Sequence, residues 1–299
     1  MDIVVSGSSG FIGTALCAAL VEDGHRVLRL RRGGTTAGDD IAWDPEAGTI
    51  DAGALEGVGA VVNLAGEGIG ERRWTDEQKR RIRESRVRGT ATLAAAIAGC
   101  ATPPAVFVSG SAIGYYGDRG DEVLTEDSTP GDDFLAEVCT AWEAETRPAA
   151  EAGARVVHLR TGIVLGPHGG VLARLLLPFR LGIGGTQGSG RQWMSWITLP
   201  DTVAAIQRAI SDPALDGAVN LTAPTPVRNS ELTKTLGKVL RRPTVLPTPM
   251  FPLKLRFGAE LVEKLLLVSQ RVEPRRLLAA DFEFAHPTLE QGLTALLRK

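Results

Sequence analysis

The chain has 299 residues, of which 43% are hydrophobic and 23% are charged, and its formal net charge is −2 at pH 7. This length allows one large domain or two smaller ones with a sizeable core. The charge argues against nucleic-acid binding, which needs a basic face. In addition, no apolar segment reaches the roughly 18 residues of a membrane-spanning helix.

Cysteine and histidine usage predicts a reducing compartment and no metal site. Cys17, Cys100 and Cys139 are scattered, without a C-x-x-C pair, which is typical of reduced thiols. The four histidines are dispersed and lack the spacing of metal ligands. The N-terminal apolar stretch is interpreted as a strand rather than a signal peptide. The protein is therefore expected in the cytoplasm.

A glycine-rich loop between a strand and a helix is the strongest local signal. Residues 3–5 predict a short buried strand, and an apolar stripe at helical spacing begins at Ile12. The loop glycines are spaced G-x-x-G-x-x-G, a pattern that allows a tight turn, close approach of a pyrophosphate and close packing of helix on strand. The helix N-terminus offers free N–H groups to the phosphates. The residues predicted to bind a dinucleotide here are Gly7, Ser9, Gly10, Phe11, Ile12 and Gly13.

The end of the second predicted strand distinguishes NAD from NADP. Residues 26–30 predict that strand, and Arg31 and Arg32 follow it, with no acidic residue before Asp39. An acidic residue there would bind the ribose 2′-hydroxyl of NAD, whereas an arginine can pair with the 2′-phosphate of NADP. The sequence therefore predicts NADP(H) as the cofactor. The alternative is a pair of solvated loop arginines.

Strands and helical patterns alternate over residues 1–165. Further strands are predicted at residues 60–66, 105–109 and 155–159. This alternation is typical of an α/β protein with a doubly wound parallel sheet, the Rossmann fold. We therefore expect an NADP-binding domain over 1–165, to which some later segments return.

The pattern changes beyond residue 166. An apolar helix and a glycine-rich loop predict a smaller substrate-binding region over 166–244. Four prolines between residues 243 and 252 mark a stiff connection. An amphipathic helix at 253–268 and a short strand at 282–284 then predict a small C-terminal domain, 245–299.

Six short motifs are spread over nearly the whole chain. They are GSSGFIG at 7–13, NLAGE at 63–67, GYYG at 114–117, LPFRLG at 177–182, GSG at 188–190 and RVEPRRL at 271–277. Together these motifs resemble the extended short-chain dehydrogenase/reductases, the NAD(P)-dependent epimerase/dehydratase superfamily. The chain is most similar to an atypical branch that carries a C-terminal domain of unknown function, some members of which are labelled cell-division inhibitors.

The resemblance implies a Rossmann domain that binds a small-molecule substrate between itself and the C-terminal region. It places Leu64, Ala65 and Gly66 along the cofactor. It also places Arg86 near the cofactor phosphates or ribose, and Val164 near the nicotinamide. Dimerisation through helices of the sheet domain is common in the superfamily, so the resemblance allows a homodimer.

The Ser/Tyr/Lys catalytic set of the superfamily is incomplete in this chain. The tyrosine of a Y-x-x-x-K pair exchanges a proton with the substrate, and the lysine lowers the tyrosine's pKa from its reference value of about 10. Where that pair is expected, residues 134–138 are FLAEV, and no lysine lies between Lys79 and Lys234. Ser111 matches the superfamily's serine.

Three alternatives follow for proton transfer. In the first, Tyr115 or Tyr116 is the acid, and Arg119 supplies positive charge but no proton. In the second, the protein is an NADP(H)-binding sensor or binding module with little or no turnover. In the third, both tyrosines are structural, and Glu67 or a bound water moves the proton. Ser111, Tyr115 and Tyr116 are thus the candidate catalytic residues.

Residues beyond the second glycine-rich loop predict a substrate wall. Arg191 suits a phosphate or carboxylate, and Trp193 suits stacking on a ring. The alternative is a solvated arginine beside core tryptophans. Glu67 is the third candidate substrate-binding residue. The expected function is an epimerase or reductase acting by hydride transfer on a small polar carbonyl or hydroxyl compound, such as a nucleotide sugar.

Overall fold

Seven parallel strands and one antiparallel edge strand form the central sheet in the part of the chain that the computed structural model describes, residues 1–33 and 38–298. In chain order the strands are β1 (Asp2–Ser6), β2 (Arg26–Arg32), β3 (Asp40–Asp44), β4 (Thr49–Ile50), β5 (Ala60–Asn63), β6 (Val106–Ala112), β7 (Val123–Leu124), β8 (Arg155–Thr161), β9 (Ile163–Gly166), β10 (Trp193–Met194), β11 (Trp196–Thr198), β12 (Gly217–Leu221), β13 (Val227–Arg228) and β14 (Arg271–Val272). The sheet order is β12-β8-β6-β5-β1-β2-β3-β4. The order reverses beside β1, which is where an open α/β sheet binds its ligand.

Helices cover both faces of this sheet. They are α1 (Phe11–Glu22), α2 (Asp76–Ala98), α3 (Phe134–Ala144), α4 (Arg147–Glu151), α5 (Gly170–Arg180), α6 (Leu199–Ser211), α7 (Asn229–Leu240), α8 (Met250–Phe257), α9 (Ala259–Leu261), α10 (Arg275–Ala279) and α11 (Leu289–Leu297). Ile3 and Val5 of β1 belong to a core cluster with α1 and α6, whereas Val4 belongs to one with α2. The predicted doubly wound Rossmann fold is confirmed.

The segment predicted as a substrate-binding region also completes the sheet. Its strand β12 pairs in parallel with β8, with Ala218 opposite His158. Outside the main sheet, β9 pairs with β11, β10 with β13, and β7 with β14. The last pairing joins residues 271–272 to residues 123–124, so the C-terminal region is tied directly to the loops that follow β6.

Two details of the C-terminal region differ from the sequence prediction. The helix expected at 253–268 is divided into α8, α9 and a π-helix at Val262–Leu266, because Gly258 has a φ of +90° that no helix continues through. No strand forms at 282–284. Instead the rings of Phe282 and Phe284 pack edge to face at 4.8 Å between centroids.

Two further sequence expectations can be compared with the described residues. None of their helices is both long and apolar enough to cross a bilayer. They also bring together no group of three or more histidine, cysteine or acidic side chains that could hold a metal ion.

The first turn of α1 depends on the absence of a side chain at Gly13. A Cβ there would lie 2.2 Å from the carbonyl oxygen of Gly7, so Gly13→Ala must displace the loop. We expect a loss of about 1–3 kcal/mol in the free energy of unfolding, the usual cost of overpacking, measured by urea titration. Gly99→Ala is the matched control, since its Cβ would meet neighbours at 3.5 Å or more. Equal losses in the two variants would contradict the close packing.

Candidate cofactor and substrate site

The glycine-rich loop lies against the carboxyl end of β5. Gly7 has a φ of +66°, and a Cβ there would lie 2.7 Å from the carbonyl carbon of Leu64. The Oγ of Ser6 accepts hydrogen bonds from the N–H groups of Leu64 at 3.1 Å and Ala65 at 3.2 Å. The same hydroxyl donates to Asn63 at 2.6 Å. The loop and the β5 turn are therefore fixed to each other.

The N-terminus of α1 has the features of an anion site. Gly10 caps the helix without a side-chain hydrogen bond, and the first turn holds no acidic residue. The free N–H groups therefore carry the positive end of the helix dipole. Beside them, the Oγ of Ser8 is buried and has no partner among the described residues. These residues fit a dinucleotide diphosphate.

The other predicted loop residues have different environments. Ser9 is exposed, and Ile12 packs partly buried against the core cluster of α1. The ring of Phe11 packs on the loop after β9, where a Cβ on Gly169 would lie 2.3 Å from it. Val164 is partly buried beside that loop and pairs with Ile197. Phe11 and Val164 thus lie in the same part of the molecule.

The arginines at the end of β2 are exposed. Arg31 lies 3.5 Å from a carboxylate oxygen of Asp40, and a surface pair of this kind contributes little. Arg32 forms no ion pair with the residues that the structure describes. Both guanidinium groups are thus available to a phosphate.

Arg86 approaches the turn after β5. A Cβ on Gly66 would lie 3.1 Å from its guanidinium carbon. The same guanidinium donates to the carbonyl oxygens of Glu67 and Ile82, both at 3.0 Å, and lies 5.2 Å from the ring centroid of Trp142. Burial lowers the pKa of Arg86, and it pairs with no carboxylate of the described chain. An anion would compensate this desolvated cation.

A cavity of about 240 Å³ opens beyond Arg86. It is bounded by the carboxyl ends of β6 and β8, one face of α3, β10 and the segment 264–270. Its lining residues are Ile69, Ile82, Arg86, Ser111, Ala112, Ile113, Gly114, Asp133, Leu135, Val138, Cys139, Trp142, Thr161, Gly162, Ile163, Trp193, Met194, Ser195, Lys264, Leu265, Leu266, Val268 and Gln270. Ser111, Arg86 and Trp193 among the predicted site residues therefore share one cavity.

Ser111 is backed by a buried ion pair. Its Oγ donates to Glu143 Oε1 at 2.6 Å. Arg160 donates to both oxygens of that carboxylate at 2.9 Å, and the side chains of Glu143 and Arg160 are 11% and 6% exposed. Burial alone would raise the pKa of the Glu143 carboxyl, but the hydrogen bonds and charge of Arg160 hold it below its usual value. Glu143 is therefore ionised at neutral pH.

The two tyrosines lie behind this ion pair and do not line the cavity. Tyr116 is fully buried, and its hydroxyl donates to Asn220 at 2.7 Å and accepts from Arg160 at 3.2 Å. Burial raises the pKa of Tyr116 to about 12, although Arg160 opposes the shift. The ring of Tyr115 stacks 3.5 Å from the guanidinium carbon of Arg160, and Arg119 pairs with Glu122. Both tyrosine rings therefore pack around Arg160 and have a structural role.

The face of α3 that lines the cavity presents Leu135 and Cys139, four residues apart. Burial raises the pKa of the Cys139 thiol to about 12, so it is not a thiolate at neutral pH. Phe134 packs against Trp74 instead, at 5.4 Å between ring centroids. Glu67 is bonded to Gln78 and lies outside the cavity lining. The cavity thus lacks a tyrosine–lysine pair among the described residues.

Arginines surround Trp193 at the edge of the cavity. Arg228 and Arg271 lie 4.1 Å and 4.7 Å from its ring centroid. Asp121 accepts from the indole N–H at 3.0 Å and pairs with Arg228 at 2.8 Å. The Nε of Arg271 is buried without a partner among the described residues, and the exposed Arg191 follows the second glycine-rich loop. Sequence reasoning identified Arg191 and Trp193 but not Arg228 and Arg271.

The segment 268–272 closes the cavity on the C-terminal side. Gln270 donates from its side-chain amide to the carbonyl oxygens of Ile113 at 2.9 Å and Gly117 at 3.1 Å. Ser269 donates to Gly120 at 2.6 Å, and Val272 donates to the Ser195 hydroxyl at 2.8 Å. These residues hold the C-terminal region against the loop that follows Ser111.

Comparisons with known proteins agree with this architecture. A model described as "NAD dependent epimerase/dehydratase family" matches residues 3–221, and one described as "Domain of unknown function (DUF1731)" matches residues 248–296. The "Epimerase family protein Mb2239" of Mycobacterium bovis is 45% identical over 97% of this chain and 96% of that protein. The "Epimerase family protein SDR39U1 homolog, chloroplastic" of Arabidopsis thaliana is 38% identical over 100% and 87%. The crystal structure of human epimerase family protein SDR39U1 (isoform2) with NADPH is 35% identical, covers 99% of each chain and has a TM-score of 0.90.

Arg160→Met would leave the Glu143 carboxylate without its cation. Breaking a buried pair by removing one partner costs about 3–5 kcal/mol, and we expect that loss near pH 7. Burial then raises the folded-state pKa of Glu143 above its unfolded value of about 4.3, so the penalty is relieved as the pH falls through the raised value. Urea unfolding near pH 7 and near pH 5 measures this. Arg119→Met, at an exposed pair, is the control and should cost at most about 1 kcal/mol. A deficit independent of pH would contradict the assignment.

Tyr116→Phe tests the structural role of the Tyr116 hydroxyl. Its removal leaves the side-chain oxygen of Asn220 without its donor and takes one buried acceptor from Arg160, and we expect a loss of about 1–3 kcal/mol in unfolding free energy. Tyr115→Phe is the matched control, since the Tyr115 hydroxyl bonds to no residue that the structure describes. Both are measured by urea titration. An equal loss in the two variants would show that the hydroxyl of Tyr116 is not the cause.

Proposed function

The chain belongs to the NAD dependent epimerase/dehydratase family, and from this membership we propose that it is an NADP(H)-dependent oxidoreductase or epimerase. Its substrate would be a small compound bearing a hydroxyl or carbonyl group. The observation that carries the proposal is a series of contacts that links the loop before α1 to the cavity. Gly7 lies against Leu64, and Gly66 of the same turn lies against Arg86. Arg86 in turn lines the cavity together with Ser111.

The NADPH part of the proposal is supported by the residues at the N-terminus of α1 and at the end of β2. The free N–H groups of α1 and the orphaned Ser8 hydroxyl suit the diphosphate. Arg31 and Arg32 suit a 2′-phosphate. The human relative of known structure was crystallised with NADPH. When bound, this cofactor supplies or accepts a hydride at a carbon next to the reacting oxygen.

The substrate would place an anionic group at Trp193 and its reacting group in the cavity. Arg191, Arg228 and Arg271 offer guanidinium donors, and the buried Nε of Arg271 lacks a partner among the described residues. Guanidinium groups bind phosphate and carboxylate in a bidentate manner. Nucleotide sugars meet both requirements, as do smaller phosphorylated or carboxylated hydroxy compounds.

A second candidate function is binding without turnover, as a sensor of NADPH or of its ligand. The observation in its favour is that α3 lines the cavity with Leu135, Val138 and Cys139, and that no tyrosine lines it among the described residues. In the enzymatic proposal the proton must instead come from another cavity residue or from water. Reduction of NADP⁺ by a panel of hydroxy compounds and oxidation of NADPH by the matching carbonyl compounds, both followed through nicotinamide absorbance, separate the two functions: turnover in either direction supports the enzyme.

We also propose a reducing, cytoplasmic location. Cys17, Cys100 and Cys139 are all free thiols, and Cys17 and Cys139 are buried. A fractionation experiment that places the protein in an oxidising compartment would contradict this part of the proposal.

Arg31→Glu combined with Arg32→Glu tests the cofactor assignment. We expect NADPH affinity to fall at least tenfold, about 1.4 kcal/mol, and NADH affinity to change little, because only NADPH carries the 2′-phosphate. The measurement is a fluorescence titration that follows energy transfer from tryptophan to the nicotinamide. Arg83→Glu combined with Arg147→Glu changes the net charge equally at two other exposed sites and should leave both affinities unchanged. An equal loss for the two cofactors would overturn the assignment.

A further inference from the structure

The single hydrogen of the Ser111 hydroxyl is already used inside the protein. Ser111 is 5% exposed, and its Oγ lies 2.6 Å from Glu143 Oε1. An ionised carboxylate can only accept hydrogen bonds. Two hydrogen bonds from Arg160, both at 2.9 Å, hold Glu143 in that ionised state. The hydroxyl hydrogen therefore lies between Ser111 and Glu143.

The lone pairs of the Ser111 oxygen remain for the cavity. None of the described N–H or O–H groups donates to this oxygen. The thiol of the neighbouring Cys139 is directed at the carbonyl oxygen of Ala112, at 3.7 Å. A ligand in the cavity thus meets an acceptor at Ser111.

We propose that Glu143 is a positioning residue that turns Ser111 into a hydrogen-bond acceptor, so that the cavity selects a ligand hydroxyl over a carbonyl. The inference rests on the proposed function only in taking this cavity as the substrate site. A hydroxyl can donate to the Ser111 oxygen, whereas a carbonyl oxygen would face another acceptor. The alcohol form of the substrate therefore binds more tightly at Ser111 than the carbonyl form.

The same geometry limits what Glu143 does in proton transfer. The lowered pKa of its carboxyl, maintained against burial by Arg160, makes it a weak base. It orients Ser111 and does not itself need to hold the proton. This distinguishes a positioning role from general-base catalysis.

Two shape-matched probes test the selection, cyclohexanol and cyclohexanone. Both are titrated into cofactor-free protein, so that the outcome does not depend on NADPH binding, which the arginine variants test separately. Dissociation constants are taken from NMR shifts of the Leu135 and Val138 methyl groups, which line the cavity. We expect the wild-type protein to bind the alcohol several-fold to about tenfold more tightly, the effect of one hydrogen bond.

Three variants identify the cause of the preference. Ser111→Ala should abolish it. Glu143→Gln should weaken or reverse it, because the carboxamide can donate to Ser111 and free the hydroxyl hydrogen for a carbonyl. Glu122→Gln, which alters an exposed carboxylate paired with Arg119, should preserve it. A general loss of structure would weaken both probes together and leave their ratio unchanged.

Two results would overturn the proposal: a wild-type protein that binds the ketone as tightly as the alcohol, and one that binds neither. If Glu143→Gln fails to fold, the wild-type protein still provides a direct test. Neutron diffraction of deuterium-exchanged crystals should locate the deuteron of Ser111 on the line to Glu143. A deuteron pointing into the cavity would refute the assignment.

Discussion

The bidentate pair between Glu143 and Arg160 joins most of the elements around the cavity. Arg160 lies on β8 and Glu143 on α3, and through Tyr116 and Ser111 the pair reaches the 3-10 helix Ile113–Tyr116 and the end of β6. Removing two charges from water is costly, and their attraction compensates only when the geometry is good and the remaining hydrogen-bonding atoms are satisfied. Here the carbonyl oxygen of Glu126 accepts one of the remaining guanidinium hydrogens of Arg160. The position of Ser111 therefore depends on the packing of α3 against the sheet.

A feature of this protein could be predicted from the sequence when the residues that form it lie close together in the chain. The glycine-rich loop is encoded within about a dozen residues, and its strand–turn–helix context was recognisable. Tyr115 and Tyr116 were candidates because they follow Ser111 closely, but the fold places them behind Arg160, away from the cavity. Glu143 was missed because an acidic residue on a helix normally faces solvent. It could have been noticed, since it continues the spacing of Leu135 and Cys139 on the apolar face of α3.

The C-terminal region has a definable part in the site. The matched segment of unknown function supplies residues 264–266, 268 and 270 to the cavity lining. No sequence pattern predicted this contribution to the cavity, because the contacts join residues as far apart as Ile113 and Gln270. Backbone carbonyls receive most of these hydrogen bonds, so the segment recognises the shape of the loop after Ser111 rather than particular side chains. It therefore forms one side of the cavity.

The contact between Gln270 and Ile113 spans 157 positions of the chain, which sets an order of events during synthesis. Domains begin to fold as they leave the ribosome, N-terminal parts first. The glycine-rich loop lies against β5, but α1 packs on α6 and Phe11 packs on the loop after β9, so this part of the molecule is complete only once Ser211 at the end of α6 has emerged. The cavity cannot form until Gln270 has also been translated, because this residue is part of its lining. The loop proposed to bind the cofactor is therefore completed during synthesis before the cavity proposed to bind the substrate.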